Sequence, residues 1–233
     1  MSSDLTYQLG YTYAHANDAG TQGSSAGDLG TISDPYAGWK YDFGPSAFDI
    51  RQVLFANFVY QIPLMKHSDN HLAKTMIGGW EISGIVTAQS GAPINIGLVG
   101  SAGGVQFVTT GNSSNRPNVT GSGSNPHTQA DWFATSIYSF PTAGTWGDTP
   151  RDSVYGPGRD NWNLSLFKNF LFSESRGSNL QFRAEFFNVW NHTQWSANTQ
   201  NGGISANYGA GDFGKITSTY DPRIIQLALK LYF

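Results

Sequence analysis

The sequence predicts an all-β chain whose long antiparallel strands stand in a lipid bilayer, and three observations lead there. The last eleven residues, 223–233 (RIIQLALKLYF), place Ile225, Leu227, Leu229, Leu231 and Phe233 on one face of a strand. Gln226, Ala228, Lys230 and Tyr232 fall on the other, a period-2 alternation carried to the final residue. Only 12% of the 233 residues are charged while 14% are aromatic, where ordinary soluble domains carry about 25% charged residues. Six strand-like segments are joined by links that run long, short, long, short, long. Membrane barrels sort short turns to one side and long loops to the other in this way, and a β-sandwich has no reason to. No window approaches the ~20 apolar residues of a membrane helix, so a bilayer would be crossed by strands.

Taken in order, the first strand is expected near residues 5–15, where Leu5, Tyr7, Leu9, Tyr11 and Tyr13 alternate with polar or small residues. A Gly-, Ser- and Asp-rich stretch follows to about Pro45 and reads as a long loop. The second strand runs about 49–62, with Leu54, Ala56, Phe58, Tyr60 and Ile62 on one face, and Pro63 closes it because proline cannot donate to a ladder. The short polar link LMKHSDNHLAK leads to a third strand near 77–89, where Trp80, Ile82 and Val86 share a face. Residues 91–158 are Gly-, Ser-, Asn- and Pro-rich; an irregular stretch so long is usually functional or mobile. The fourth strand (159–171) and fifth (178–190) form a hairpin across SESRG. A third loop, 191–222, with a short strand extension at 213–217, precedes the terminal strand.

The strands exceed the roughly 9–11 residues needed to cross a bilayer at a tilt of about 45°. Aromatics gather at their ends: Tyr60, Trp80, Phe170 and Phe233 near the short links, and Tyr13, Trp162 and Trp190 near the long ones, as two interfacial girdles would require. Gln181, Arg183 and Glu185, with Gln226 and Lys230 on the terminal strand, are expected to face a polar lumen. Lys168 shares parity with Leu164 and Leu166, which aims a charge at lipid; near a short link it could snorkel to the interface or follow a bulge.

The remaining constellations are weak. A net charge of -3, from 13 Lys and Arg against 16 Asp and Glu, gives no electrostatic case for nucleic acid. The absence of cysteine excludes disulfides, thiolate catalysis and zinc–thiolate sites. His67 and His71 have metal-like i, i+4 spacing but no third ligand nearby, and Asp18, Asp28 and Asp34 fit no dense calcium loop. Trp39, Trp132 and Trp146 could stack on a sugar or serve loop packing. The sequons at 112–114 and 118–120 carry little weight. No triad, carboxylate pair, phosphate loop or nucleotide fingerprint stands out, so neither catalysis nor a cofactor is expected.

A terminal Phe233 after alternating apolar residues resembles the C-terminal insertion signal that the outer-membrane barrel-assembly machinery recognises. The segments VYGPGRDNWNLSLFKNF, LQFRAEFFNVWNHTQW and FGKITSTYDPRIIQLALKLYF resemble the C-terminal barrel region of TonB-dependent receptors, in particular the Oar-like acidobacterial subgroup. DIRQVLFANFVYQIP and GGWEISGIVTAQSGAPINI are similar to that subgroup's upstream barrel strands. The resemblance covers most of 49–233 and implies a barrel of about 22 strands, the size of plugged outer-membrane transporters. Six strands fall below the minimum of about eight for a closed barrel. Residues 1–233 are therefore expected to be the C-terminal part of such a receptor: an up-and-down, antiparallel transmembrane β-barrel segment forming an open, curved sheet with long extracellular loops. MSSDLTYQLG has no basic n-region followed by an apolar h-region, which fits a piece whose beginning lies elsewhere.

The resemblance implies localisation in the Gram-negative outer membrane with a periplasmic C-terminus, contact with outer-membrane lipid, and a plug domain and TonB in the full-length protein. It implies uptake of a solute that the sequence does not identify. Two alternatives stand beside it: a non-transport outer-membrane barrel with an adhesive or structural role, and a soluble β-sandwich carbohydrate-binding module.

Overall fold

The computed structural model describes residues 4–19, 34, 36–65, 69–102, 105–106, 115–173, 178–197 and 203–233. Six long strands form one sheet: β1 (Leu5–Tyr13), β2 (Gln52–Gln61), β3 (Trp80–Gln89), β4 (Arg159–Ser173), β5 (Ser178–Phe187) and β6 (Ile224–Tyr232). They lie side by side in chain order, each antiparallel to the one before it, so the sheet is an open up-and-down meander with β1 and β6 at its edges. The expected six strands are all present. The β-sandwich alternative fails, because among the described residues no second sheet of long strands covers this one.

Register turns the period-2 pattern of each strand into two continuous faces, since directly paired residues point to the same side. One row across all six strands reads Tyr7, Phe58, Gly84, Leu164, Phe186, Ile225. The neighbouring row on the opposite face reads Thr6, Val59, Ser83, Ser165, Glu185, Gln226. Gly84 is a packing requirement in the apolar row: a Cβ there would lie 2.5 Å from Phe58 Cε1 and 2.7 Å from Leu164 Cδ2. The rings of neighbouring strands thus close over the gap that glycine leaves.

Strand ends depart from the sequence reading in informative ways. β1 stops at Tyr13 because His15 and Ala16 turn to bond Asp49, and β2 starts late because Asp49 and Arg51 are held in that same cluster. The β2–β3 link is more than a turn. It contains helix α2 (His71–Ile77), where Leu, Ala, Lys and Met favour helix, and Gly79 at φ +71° ends it before β3. β5 ends at Phe187 because Asn188 adopts φ +51° and donates its side-chain amide to the His192 carbonyl. The extension at 213–217 is not a strand; Ile216 makes only an isolated bridge with Ile204. A register shift between Leu171 and Ser173 lies beyond Lys168 and leaves its parity intact.

At the long-loop end, the described residues of 91–158 and 191–222 fold into a cap. Its core is Ile94, Ile96, Trp132, Phe133, Tyr138, Val154, Ile204, Ala206 and Ile216. Among the described residues, its regular structure is a set of two-residue ladders: Val154–Tyr155 against Pro93–Ile94, Asn118–Val119 against Tyr138–Ser139, Ser101–Ala102 against Val105–Gln106, and Asn207–Tyr208 parallel to Gly97–Leu98. Aromatic edges fill the space between them, with Phe213 meeting Phe133, Tyr138 and Tyr208 at centroid distances of 5.2, 5.6 and 5.3 Å. The long loops expected to be irregular therefore contain the main buried core among the described residues.

Candidate functional site

The sheet brings the sequence-selected residues together by face. Ile225, Leu227, Leu229 and Leu231 stand on the apolar face of β6, all exposed, and Phe233 follows as a fully exposed terminal residue. Their neighbours on β5 are Phe186, Ala184, Phe182 and Leu180. Gln181, Arg183, Glu185, Gln226 and Lys230 share the opposite face, where Gln181 pairs with Lys230 and Glu185 with Gln226. That face is laced with weak polar contacts: Gln181 donates to Asn169 at 3.0 Å, Asn57 to Gln8 at 3.1 Å, and Arg183 lies 3.9 Å from Glu185 and 4.8 Å from the Phe167 ring centroid. Exposed pairs of this kind are worth ~0–1 kcal/mol each, so they wet the face more than they hold it.

The aromatic residues sit on the apolar face at the two ends of the strands. Tyr60, Trp80 and Phe170 mark the short-link end, and Tyr13 and Trp162 the long-loop end, where Trp190 packs edge-on against Trp162 at 6.0 Å. Lys168 emerges from the apolar face and is nevertheless buried. Its Nζ donates to the carbonyl of Gly78 in the β2–β3 link and lies 5.2 Å from the Trp80 ring and 5.0 Å from Phe170. The lysine snorkels along the sheet, its stem among apolar neighbours and its head on a turn carbonyl.

Two polar clamps tie the cap to the strand ends, and neither carries a sequence signature. In the first, the buried carboxylate of Asp49 accepts from the Ala16 amide (3.0 Å), the Tyr155 hydroxyl (2.8 Å), His15 Nδ1 (3.1 Å) and Arg51 Nε (2.7 Å). Burial alone would raise the Asp49 pKa; the hydrogen bonds from Ala16, Tyr155, His15 and Arg51 outweigh it and hold the carboxyl well below the usual carboxylate range. The cluster joins the end of β1, the start of β2 and the segment entering β4. In the second, Arg151 donates to Asp18 Oδ1 (2.5 Å) and to the Asp42 carbonyl (2.9 Å), and its Nε lies 3.2 Å from Asp152. Beside it, Arg116 donates to the Tyr41 carbonyl and stacks 3.7 Å over the Tyr41 ring. Burial pushes the Arg116 pKa down and the Tyr41 phenol up. Tyr41 and Asp42 lie on the single helical turn α1 (Trp39–Asp42), which these arginines pin to the cap.

Other singled-out residues scatter. Trp132 is in the cap core and donates its indole N–H to the Tyr155 carbonyl at 2.8 Å; Trp146 packs edge-on with Tyr36, and Trp39 with Phe43. Asp18 is bound to Arg151 and Asp34 accepts from the Tyr36 amide, while Asp28, His67 and the His71 side chain lie outside what the structure describes, as does the 112–114 sequon. Among the described residues no group of three or more His, Asp or Glu is placed to hold a metal ion.

Concavities lie at both ends of the sheet. One of about 400 Å³ at the short-link end is lined by Gln61, Pro63, Lys74, Trp80 and Glu81. Two adjoin at the long-loop end, of about 540 and 350 Å³, sharing Gly158, Asp160 and His192. Against this geometry stands one comparison: a family model described as an outer membrane beta barrel domain matches residues 1–226, nearly the whole chain. No curated protein and no solved structure is found to be similar.

Proposed function

Because the chain belongs to the outer membrane beta barrel domain family, we propose that it closes the barrel of a TonB-dependent receptor that binds a solute and admits it across the outer membrane. The observation that carries this reading is the apolar face that runs unbroken across six strands, with the long loops gathered at one end of it. Lipid covers that face, and the opposite face, with Gln181, Arg183, Glu185, Gln226 and Lys230, lines the lumen. The C-terminus is periplasmic, the cap forms part of the outer vestibule, and the alternating residues ending in Phe233 direct insertion by the assembly machinery. β1 and β6, each paired on one side only among the described residues, continue into strands of the complete barrel, which leaves no edge in the hydrocarbon layer.

Two measurements test the two parts of this reading. Leu227→Arg, on the lipid side of β6, is expected to cost about 2–4 kcal/mol of folding free energy in a bilayer, and Ala228→Arg, on the other side, much less. Equal costs would remove the assignment of faces. For the receptor role, full-length protein carrying this chain should crosslink in cells to TonB. Correct membrane assembly with no crosslink would leave a barrel of adhesive or structural role instead.

A further inference from the structure

We propose that the two adjoining clefts at the long-loop end are a site for a membrane lipid whose headgroup joins an ammonium to a phosphate. The site rests on lipid covering the apolar face, as proposed above, and is independent of the receptor role.

The larger cleft, of about 540 Å³, opens on the apolar face. Tyr11, Leu54, Ala88 and Asp160 pair in one row across β1 to β4, and all four line it. Ala88, the smallest of them, leaves a dip between Leu54 and Asp160. The depth of this row in a bilayer follows from β4. Asp160 stands about ten residues from Phe170 on the same face, roughly 33 Å of strand at ~3.3 Å per residue. At a tilt of about 40° that is ~25 Å of height, the full apolar band of a membrane barrel. With Phe170 at the short-link boundary, Asp160 therefore lies at the opposite one, level with the headgroups of the loop-side leaflet. The groove below it, past Ala88 and Leu54, lies at the level of their acyl chains.

The smaller cleft, of about 350 Å³, shares Asp160 and His192 with the larger and is walled on the cap side by Trp132, Pro157 and Trp195. The Asp160 carboxylate and His192 Nδ1 lie 3.4 Å apart with side chains 54% and 66% exposed, so the acid is oriented yet open. Trp195 is set edge to face by Trp132 at 5.6 Å, and Trp132 is fixed by its hydrogen bond to the Tyr155 carbonyl. Indole and carboxylate together suit an ammonium, through cation–π attraction and charge. Arg159 lines the larger cleft but not the smaller. Its guanidinium donates from Nε to Gln194 Oε1 at 3.2 Å and stacks 4.2 Å over the Tyr220 ring, which places a positive counterpart for a phosphate. From cap to sheet the order is thus ammonium site, phosphate site, apolar groove. That is the order of groups along a zwitterionic phospholipid. An anionic lipid has nothing to offer Asp160 and is repelled by it.

The test uses chain 1–233 refolded into phosphatidylglycerol vesicles and reads tryptophan quenching by trace lipids with brominated acyl chains. The trace lipids are phosphatidylethanolamine, phosphatidylcholine and phosphatidylglycerol, and unlabelled lipopolysaccharide is added as a competitor. The two ammonium-bearing lipids are expected to quench at about three- to fivefold lower mole fraction than phosphatidylglycerol, the worth of one interfacial charge or cation–π pair. Asp160→Asn should bring that ratio close to one, and Trp195→Ala should lower it most for phosphatidylcholine. Asp160→Asn changes an exposed group, so it decides the matter even if Trp195→Ala disturbs the cap. A preference untouched by Asp160→Asn overturns the proposal, as does displacement of the quencher by lipopolysaccharide more readily than by unlabelled phosphatidylethanolamine. Equal quenching by all three headgroups would remove the site and leave the lipid-facing assignment intact. No quenching by any brominated chain would remove that assignment and the site together.

Discussion

In the sheet, Leu227 and Leu229 stand 67% and 69% exposed in the middle of a regular strand, whereas in the cap Ile96, Phe133 and Ile204 are at most 1% exposed among loops with little regular structure. The same kind of side chain is thus left open where backbone order is highest and covered where it is lowest. The sheet satisfies its backbone by ladders, and on the proposed reading its apolar face is left to a lipid solvent, in which covering it with protein would gain little. The cap stands in water and must cover its own apolar atoms, at roughly 25 cal/mol per Å² removed from solvent. It does so with two-residue ladders, close backbone approaches and buried arginines. At one such approach a Cβ on Gly91 would lie 1.7 Å from the Gly156 carbonyl oxygen. One chain therefore carries two folding codes, and the boundary between them runs through the Asp49 and Arg151 clamps.

The largest expected effect breaks the cap and spares the sheet. Phe133→Ala removes a ring enclosed by Tyr138 and Phe213 and should cost ~3–5 kcal/mol. In micelles the near-ultraviolet aromatic signal should melt at lower urea while the far-ultraviolet β-signal keeps its midpoint. A common shift of both transitions would mean that cap and sheet unfold as one cooperative unit, and the comparison would have to be redrawn.

A smaller effect lies at the joint. Asp49 is held ionised in the folded chain below its ordinary range, so its contribution is fully present above the unfolded value of about 4 and is lost as pH falls through and below that range. Acid should therefore release the cap before it touches the sheet. Asp49→Asn, which keeps the volume and leaves Arg51 and His15 facing a neutral group, should cost ~1.5–3 kcal/mol at pH 7. The variant should also show a flatter loss of cap stability between pH 6 and 3 than the wild-type chain. Identical acid profiles would show that other carboxylates carry the dependence.

The sheet was legible in the sequence because a strand's period is local: Leu5 to Tyr13 or Ile225 to Phe233 can each be read alone, and pairing register then follows from matching faces. Even the misread strand ends have local causes, such as Gly79 ending α2 and Asn188 turning left-handed after β5. The cap was not legible, and the reason is contact distance along the chain. Arg51 reaches Tyr155 across 104 residues and Arg151 reaches Asp18 across 133, and no periodicity announces either partner. The remaining signal was scarcity: in a chain with 13 Lys and Arg, arginines at 116 and 151 within otherwise polar loops invite a structural role. The adjoining clefts at the long-loop end were hidden for the same reason. Trp132 could be singled out by type, but Asp160, His192 and Trp195 meet only after β4, β5 and the loop beyond have folded.

The smallest expected effect tests whether the sheet's one buried charge belongs to the cap's code or to the sheet's. Lys168 resembles a cap residue in being buried and bonded to a backbone carbonyl, yet it stands in a strand on the apolar face. Lys168→Met keeps length and apolar stem while removing the hydrogen bond to Gly78 and the attraction to the Trp80 and Phe170 rings. Losing a charged hydrogen bond costs about 1.5–3 kcal/mol, and relief from burying an ammonium offsets much of it. The net change in sheet stability in micelles should thus stay within about 1 kcal/mol. A loss well above about 2 kcal/mol would mean that the lysine anchors the β2–β3 link to the sheet, as Asp49 anchors the cap at the other end. A gain would place Lys168 among charges that the lipid-facing surface tolerates but does not need.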